Sequence, residues 1–160
     1  MLLPKSNSYV SGEFSVFDTL IKAGEESSFI SLPYQLHTFL AQCLVEHLRD
    51  REIVNHVLAL HFLHSAEKTG EQGNVLLKRT GDAALLLAGL FPERARRLHV
   101  SSRYFRLMGQ AAYANLAVKF LVTGRPERGR FYDKVTTYFH LLERVLNAVR
   151  AQPKMLPYRQ

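Results

Sequence analysis

Three closely spaced histidines are the first candidate for chemistry, because imidazole nitrogens are common zinc ligands. His56, His61 and His64 fall on one predicted helix together with Glu52 and Glu67. At 100° per residue, the three rings share one broad polar face of that helix. Metal-binding bundles usually carry Glu-x-x-His or His-Glu-x-x-His, and neither motif occurs. The sequence therefore predicts a solvated face, with no cofactor and no metal ligand, and a histidine-lined metal enzyme is the third hypothesis for function.

Other reactive groups stand alone in the sequence. Cys43 falls on the apolar stripe of its predicted helix, where a free cysteine behaves as a small hydrophobe. Neither a Gly-x-Ser-x-Gly elbow nor a phosphate-binding loop occurs. No catalytic residue is predicted, and the pattern favours a protein that is not an enzyme.

Asp82 is a sharper feature, because it enters an apolar helix immediately before AALLLAGL. Its carboxylate must lie at a polar edge, be buried with a hydrogen-bond donor, or cap a new helix after a break at Gly81. The candidate donors are Arg79, Arg103 and Tyr113. All of these roles are structural, since one carboxylate without a second titratable group is not an acid–base pair.

The charge of the chain is uneven. Residues 1–75 carry 5 Lys and Arg against 9 Asp and Glu, whereas residues 76–160 carry 16 against 5. A basic half attracts an acidic or anionic partner, although the two halves could also pack on each other within one fold. We expect a protein partner with an acidic surface, and homo-oligomers remain open. The predicted partner-binding residues are Arg94, Arg96, Arg97, Arg103, Arg106, Arg128 and Arg130.

DNA binding is the alternative hypothesis. Residues 95–101 resemble the Ala-x-x-x-Gly-Val-Ser passage of helix-turn-helix regulators, with His99 in place of the turn glycine. A recognition helix would follow, and Arg103, Arg106 and Gln110 would share its outer face. The first helix of this unit, however, is barely two turns long after Pro92.

Residues 91–107 and 125–141 resemble each other, with PERAR in the first and PERGR in the second. The 34-residue offset matches the tetratricopeptide period, but no third copy precedes them, and a solenoid needs about three. Two helix starts with Pro and Glu in the first turn explain most of the likeness. The arginines are then predicted at the surface and the aromatic pairs in the core.

Helical periodicity recurs along the chain and predicts an all-α, single-domain bundle of five or six helices. We expect a loosely ordered arm over 1–13, a helical domain over 14–151 and an irregular tail over 152–160. The central helix is predicted near 74–91, where the residues are apolar all round. Further helices are predicted near 31–50 with Ser31 as N-cap, near 51–69, over 101–122 and, without interruption, over 126–151. No signal peptide or membrane span is recognisable, so we expect a cytoplasmic protein.

Residues 80–117 resemble a segment of a bacterial family of small helical proteins that have no established activity. The shared residues are Gly81, Asp82, Gly89, Phe91, Val100, Ser101, Tyr104, Gly109, Ala112 and Tyr113. The resemblance implies a helical fold and no particular activity.

Overall fold

The computed structural model describes residues 5–49 and 70–158, and within these ranges the protein is a single all-helical bundle without strands. The predicted fold class is confirmed, although the described residues form seven α-helices rather than five or six. His56, His61 and His64, with their predicted helix, lie outside the described residues. The elements are α1 (Lys5–Ser28), α2 (Tyr34–His47), α3 (Gly70–Gly89), α4 (Pro92–Arg97), α5 (Ser102–Val122), α6 (Pro126–Thr137), α7 (Phe139–Arg150) and a 3₁₀ helix (Pro153–Tyr158).

Helix α3 is the central helix, as predicted. Every residue from 80 to 91 is buried, because α2, α4, α5 and α7 all pack against this helix. Leu85, Leu86 and Leu87 are completely inaccessible to solvent. Burying a leucine side chain contributes about 1.5–3 kcal/mol, so this run is a principal source of the bundle's stability.

Small residues set the spacing between α3 and α5, which run antiparallel. A Cβ added to Gly81 would lie 2.5 Å from the ring of Tyr113, and one added to Gly109 would lie 3.0 Å from the Cβ of Ala84. These glycines therefore allow α3 and α5 to approach each other closely. This close approach brings Asp82 of α3 to the hydroxyl of Tyr113.

Three helices end with a residue in the left-handed conformation, which allows the last carbonyls to be capped by backbone N–H groups. These residues are Phe29, His99 and Gly124, with φ values of 57°, 57° and 78°. Helices α4 and α6 each begin with proline at the first helical position, at Pro92 and Pro126. The interpretation of PERAR and PERGR as two similar helix starts is confirmed.

Several predicted boundaries need correction. Helix α1 begins at Lys5, so it includes part of the segment predicted as a loose arm. The N-cap of α2 is Pro33 rather than Ser31. The predicted last helix is divided at Tyr138, where ψ is 4° instead of helical, and a 3₁₀ helix with buried Met155 forms in the predicted irregular tail.

Tyr104, predicted in the core, is also an exception, because it is 42% exposed while the neighbouring Phe105 is buried. Phe139 of the second aromatic pair is buried as predicted. None of the helices within 5–49 and 70–158 is long and apolar enough to cross a membrane.

Candidate functional site

The outer side of α5 is an exposed apolar face. Leu107 and Val118 are 56% and 57% exposed, and Leu121 and Val122 are also exposed. From Tyr104 to Leu121 the apolar positions alternate in steps of three and four, which is the spacing of a helix that packs lengthwise on another helix. We call this set the α5 face, and it consists of Tyr104, Leu107, Ala111, Ala114, Val118, Leu121 and Val122.

The neighbouring helices border the α5 face without covering it. Gly129 of α6 lies against Leu121 and the carbonyl of Ala117, so α6 runs along one side. Val75 of the neighbouring α3 is exposed as well.

The seven predicted partner-binding arginines do not form one cluster. Five of them lie on α4 and the first turns of α5, whereas Arg128 and Arg130 lie at the start of α6. These positions are at opposite ends of α5, which is about 30 Å long at 1.5 Å per residue. The arginines thus lie near the two ends of helix α5.

Their side chains differ in what they contact. The guanidinium of Arg94 lies over the Phe91 ring and that of Arg128 over the Phe120 ring. Arg96 is 3.9 Å from Glu93. The remaining exposed members have no side-chain partner in the described ranges, and they are Arg97, Arg103 and Arg130.

Arg106 is engaged inside the protein. Its Nε and terminal nitrogen donate hydrogen bonds of 2.6 and 2.8 Å to the two carboxylate oxygens of the buried Glu143 on α7. In this arrangement Glu143 occupies two of the donor groups of Arg106, which belongs to the predicted DNA-reading set of Arg103, Arg106 and Gln110. His99 does adopt the left-handed conformation that a turn glycine would supply.

A second candidate site is a buried polar cluster between α2 and α3. Asp82 is fully inaccessible and accepts hydrogen bonds from three elements: Tyr113 Oη at 2.6 Å, His47 Nε2 at 2.6 Å and Lys78 Nζ at 2.8 Å. Lys78 also donates to Glu46 at 2.9 Å. Cys43 lies beside this network, and its sulfur, a His47 nitrogen and an Asp82 oxygen are all within 4.8 Å of one another.

The hydrogen-bond donors of this cluster explain how the carboxylate of Asp82 can be buried. Burial raises the pKa of Asp82, but the hydrogen bond from His47 and the charge of Lys78 outweigh it and hold the pKa below its ordinary value. Burial, followed by the charge of Asp82, raises the pKa of the Cys43 thiol and of Tyr113 well above their ordinary values. Tyr113 was a predicted donor, and this prediction is confirmed. Helix α3 continues through Gly81, so the alternative of a helix break there is wrong.

A smaller polar cluster joins α1 to α2. The ring of His37 contacts Glu25 through Nδ1 and Asp18 through Nε2, the latter at 2.5 Å. Both contacts are hydrogen bonds only when each ring nitrogen carries a proton. The cluster therefore links α1 to α2 through side chains.

Several residues of these sites were not predicted from the sequence. His47 follows Cys43 by four residues, a spacing that places both on one helix face, and this was the available signal. Glu143 stands directly after Leu142 on the apolar stripe of the last helix, where burial demands a partner. The exposure of the α5 face had no such signal, because an apolar helix stripe normally indicates core.

No family model, curated protein or solved structure matches the chain. The resemblance of residues 80–117 to a bacterial helical family therefore stays an expectation from the sequence.

Proposed function

We propose that this protein is a helical binding protein whose α5 face takes up an acidic amphipathic helix of another protein. The observation that carries the proposal is an exposed apolar stripe with helix-packing spacing, on a helix that has exposed arginines near both of its ends. Large apolar side chains exposed in a contiguous stripe are typical of protein interaction sites.

The shape of the α5 face suits a helix. Ala111 and Ala114 occupy its middle, so a partner helix can approach closely there, while Leu107 and Val118 provide larger contacts on either side. An apolar stripe on the partner would pack into this arrangement over several turns.

The charge around the face favours an acidic partner over a second copy of this chain. Arg97 ends α4 just before α5, Arg103 lies in the first turn of α5, and Arg130 lies in α6 just after α5 ends. An antiparallel second copy would place these two basic ends opposite each other, which is repulsive. Acidic residues flanking the apolar stripe of a partner helix would instead pair with them.

The test uses two synthetic amphipathic helices with the same leucine stripe, one flanked by glutamates and the other by lysines. Fluorescence anisotropy with the full chain should detect binding of the acidic peptide and much weaker binding of the basic one. The double substitution Leu107→Asp, Val118→Asp should weaken binding by about ten-fold or more, since central apolar contacts dominate such interfaces.

The control substitution is Val16→Asp, because Val16 is similarly exposed but lies on α1. It should leave binding unchanged. Equal binding of both peptides, or equal effects of the two sets of substitutions, would contradict the proposal. Steeply salt-dependent binding of duplex DNA that survives the α5 substitutions would point to the DNA-binding alternative instead.

A further inference from the structure

The buried cluster of Cys43, His47 and Asp82 has the composition of a transition-metal site. A thiol, an imidazole and a carboxylate supply sulfur, nitrogen and oxygen, the three ligand types that zinc uses in proteins. Cys43 and His47 are four residues apart on α2, and Asp82 faces them from α3. Ligands at this helical spacing, completed by one from a facing helix, are the usual way in which helix bundles hold metals.

The distances suit a small four-coordinate ion. The three ligand atoms lie within 4.8 Å of one another. Around a tetrahedral zinc, nitrogen and oxygen ligands are separated by about 3.3 Å, as follows from metal–ligand distances near 2.0–2.1 Å. His47 Nε2 and Asp82 Oδ2 are now 2.6 Å apart. Metal binding would therefore require these two atoms to move apart by less than about 1 Å. His47 can make this shift because it is the last residue of α2.

The surroundings orient the carboxylate and offer a further ligand. Tyr113 donates its hydroxyl to Oδ1 of Asp82, which leaves Oδ2 directed toward His47 and Lys78. Such outer hydrogen bonds commonly fix the orientation of metal ligands. Glu46 Oε2 lies 3.4 Å from His47 Nε2 and could fill the fourth position, which water would otherwise take.

A cation already occupies this place in the form of the Lys78 ammonium group. It lies 2.8 Å from Asp82 and 2.9 Å from Glu46. Its side chain is 33% exposed, so it can turn toward solvent when another cation enters. The ammonium group thus competes with a metal for the same oxygens, and its removal must favour the metal.

We propose that Cys43, His47 and Asp82 bind one divalent transition-metal ion of the zinc class, in competition with the ammonium group of Lys78. The site lies between α2 and α3, away from the α5 face, and is independent of the proposed partner binding.

The experiment titrates the full-length protein with Co²⁺ and records its absorption spectrum. Cobalt replaces zinc in such sites, and a coordinating thiolate adds a charge-transfer band in the near ultraviolet. We expect this band together with the intense visible bands of four-coordinate cobalt, at one ion per chain. Zinc added afterwards should abolish both.

Three variants locate the site. Cys43→Ala should remove the charge-transfer band while the far-ultraviolet circular dichroism stays unchanged. Lys78→Met keeps the apolar stem, removes the competing charge and should tighten cobalt binding by about ten-fold or more. The triple variant His56→Ala, His61→Ala, His64→Ala should bind cobalt as the parent protein does.

Two results would overturn the proposal. One is the absence of a charge-transfer band in both the parent protein and Lys78→Met. The other is a cobalt spectrum that survives Cys43→Ala but is lost in the triple histidine variant, because this would place the metal on residues 56–64.

Discussion

Arg106 of α5 and Glu143 of α7 are joined by two hydrogen bonds, of 2.6 and 2.8 Å, between one guanidinium and one carboxylate. Glu143 is only 4% exposed, whereas a third of the Arg106 side chain reaches solvent. The hydrogen bond to Glu143 raises the pKa of Arg106 above its ordinary value. The pair therefore links α5 to α7 and engages one of the predicted partner-binding arginines in an intramolecular contact.

Replacing Arg106 by alanine should lower the free energy of unfolding by about 1–3 kcal/mol, because it leaves a buried carboxylate without its donor. Urea denaturation followed by circular dichroism measures this change. Arg103→Ala is the matched control, since Arg103 is exposed on the first turn of the same helix and should change stability by less than about 0.5 kcal/mol. Adding Glu143→Gln to Arg106→Ala should recover part of the lost free energy of unfolding. Equal losses in Arg106→Ala and Arg103→Ala would contradict this account.

His99→Gly should stabilise the protein by about 1 kcal/mol. His99 has φ of 57° at the end of α4, a conformation that glycine adopts without a steric cost. Its side chain is exposed, so little packing is lost. The thermal midpoint should rise, whereas Gly124→Ala at the corresponding end of α5 should lower it. A destabilised His99→Gly protein would show that the histidine side chain makes a contribution of its own.

The bundle was largely predictable because its signals are local. Pro92, Pro126 and Gly124 mark helix ends through backbone chemistry, and the apolar run before Phe91 marks the central helix. The missed break at Tyr138 has no such signal, since Val135 and Phe139 continue one apolar stripe across it. There the packing of α6 on α5 and of α7 on α3 decides the local conformation.

The candidate sites were less predictable, because they depend on which faces meet. Asp82 could be recognised as a buried carboxylate in need of donors, but only the packing of α2 on α3 brings His47 and Cys43 to it. The α5 face illustrates the opposite problem. Its spacing is that of a core stripe, and only the position of α6 and α3 leaves it exposed.

Acid should weaken the connection between α1 and α2. The pKa of Asp18 lies below its ordinary value of 3.8, mainly because of the hydrogen bond with His37. Because the pKa of Asp18 is lowered in the folded state, the stabilisation by this carboxylate is complete above pH 3.8. It is lost as the pH falls through the folded-state pKa of Asp18. Asp18→Asn should therefore flatten the pH dependence of stability between about pH 4 and pH 2. Asp133→Asn, on the exposed side of α6, is the control and should leave this slope as it is in the parent protein.

Tyr113 and Tyr132 should ionise late. Burial, followed by the charge of Asp82, raises the pKa of Tyr113 well above 10, and burial raises the pKa of Tyr132 to about 12. Because the folded pKa values are raised, the two tyrosines stabilise the fold fully below pH 10, and this contribution is lost as the pH rises further. The tyrosinate absorbance of these two residues should therefore appear only above pH 10 and should coincide with unfolding. Tyr132→Phe keeps the stacked ring and should remove one late group. Ionisation of all tyrosines in a single step near pH 10 would contradict the burial of the Tyr113 hydroxyl against Asp82.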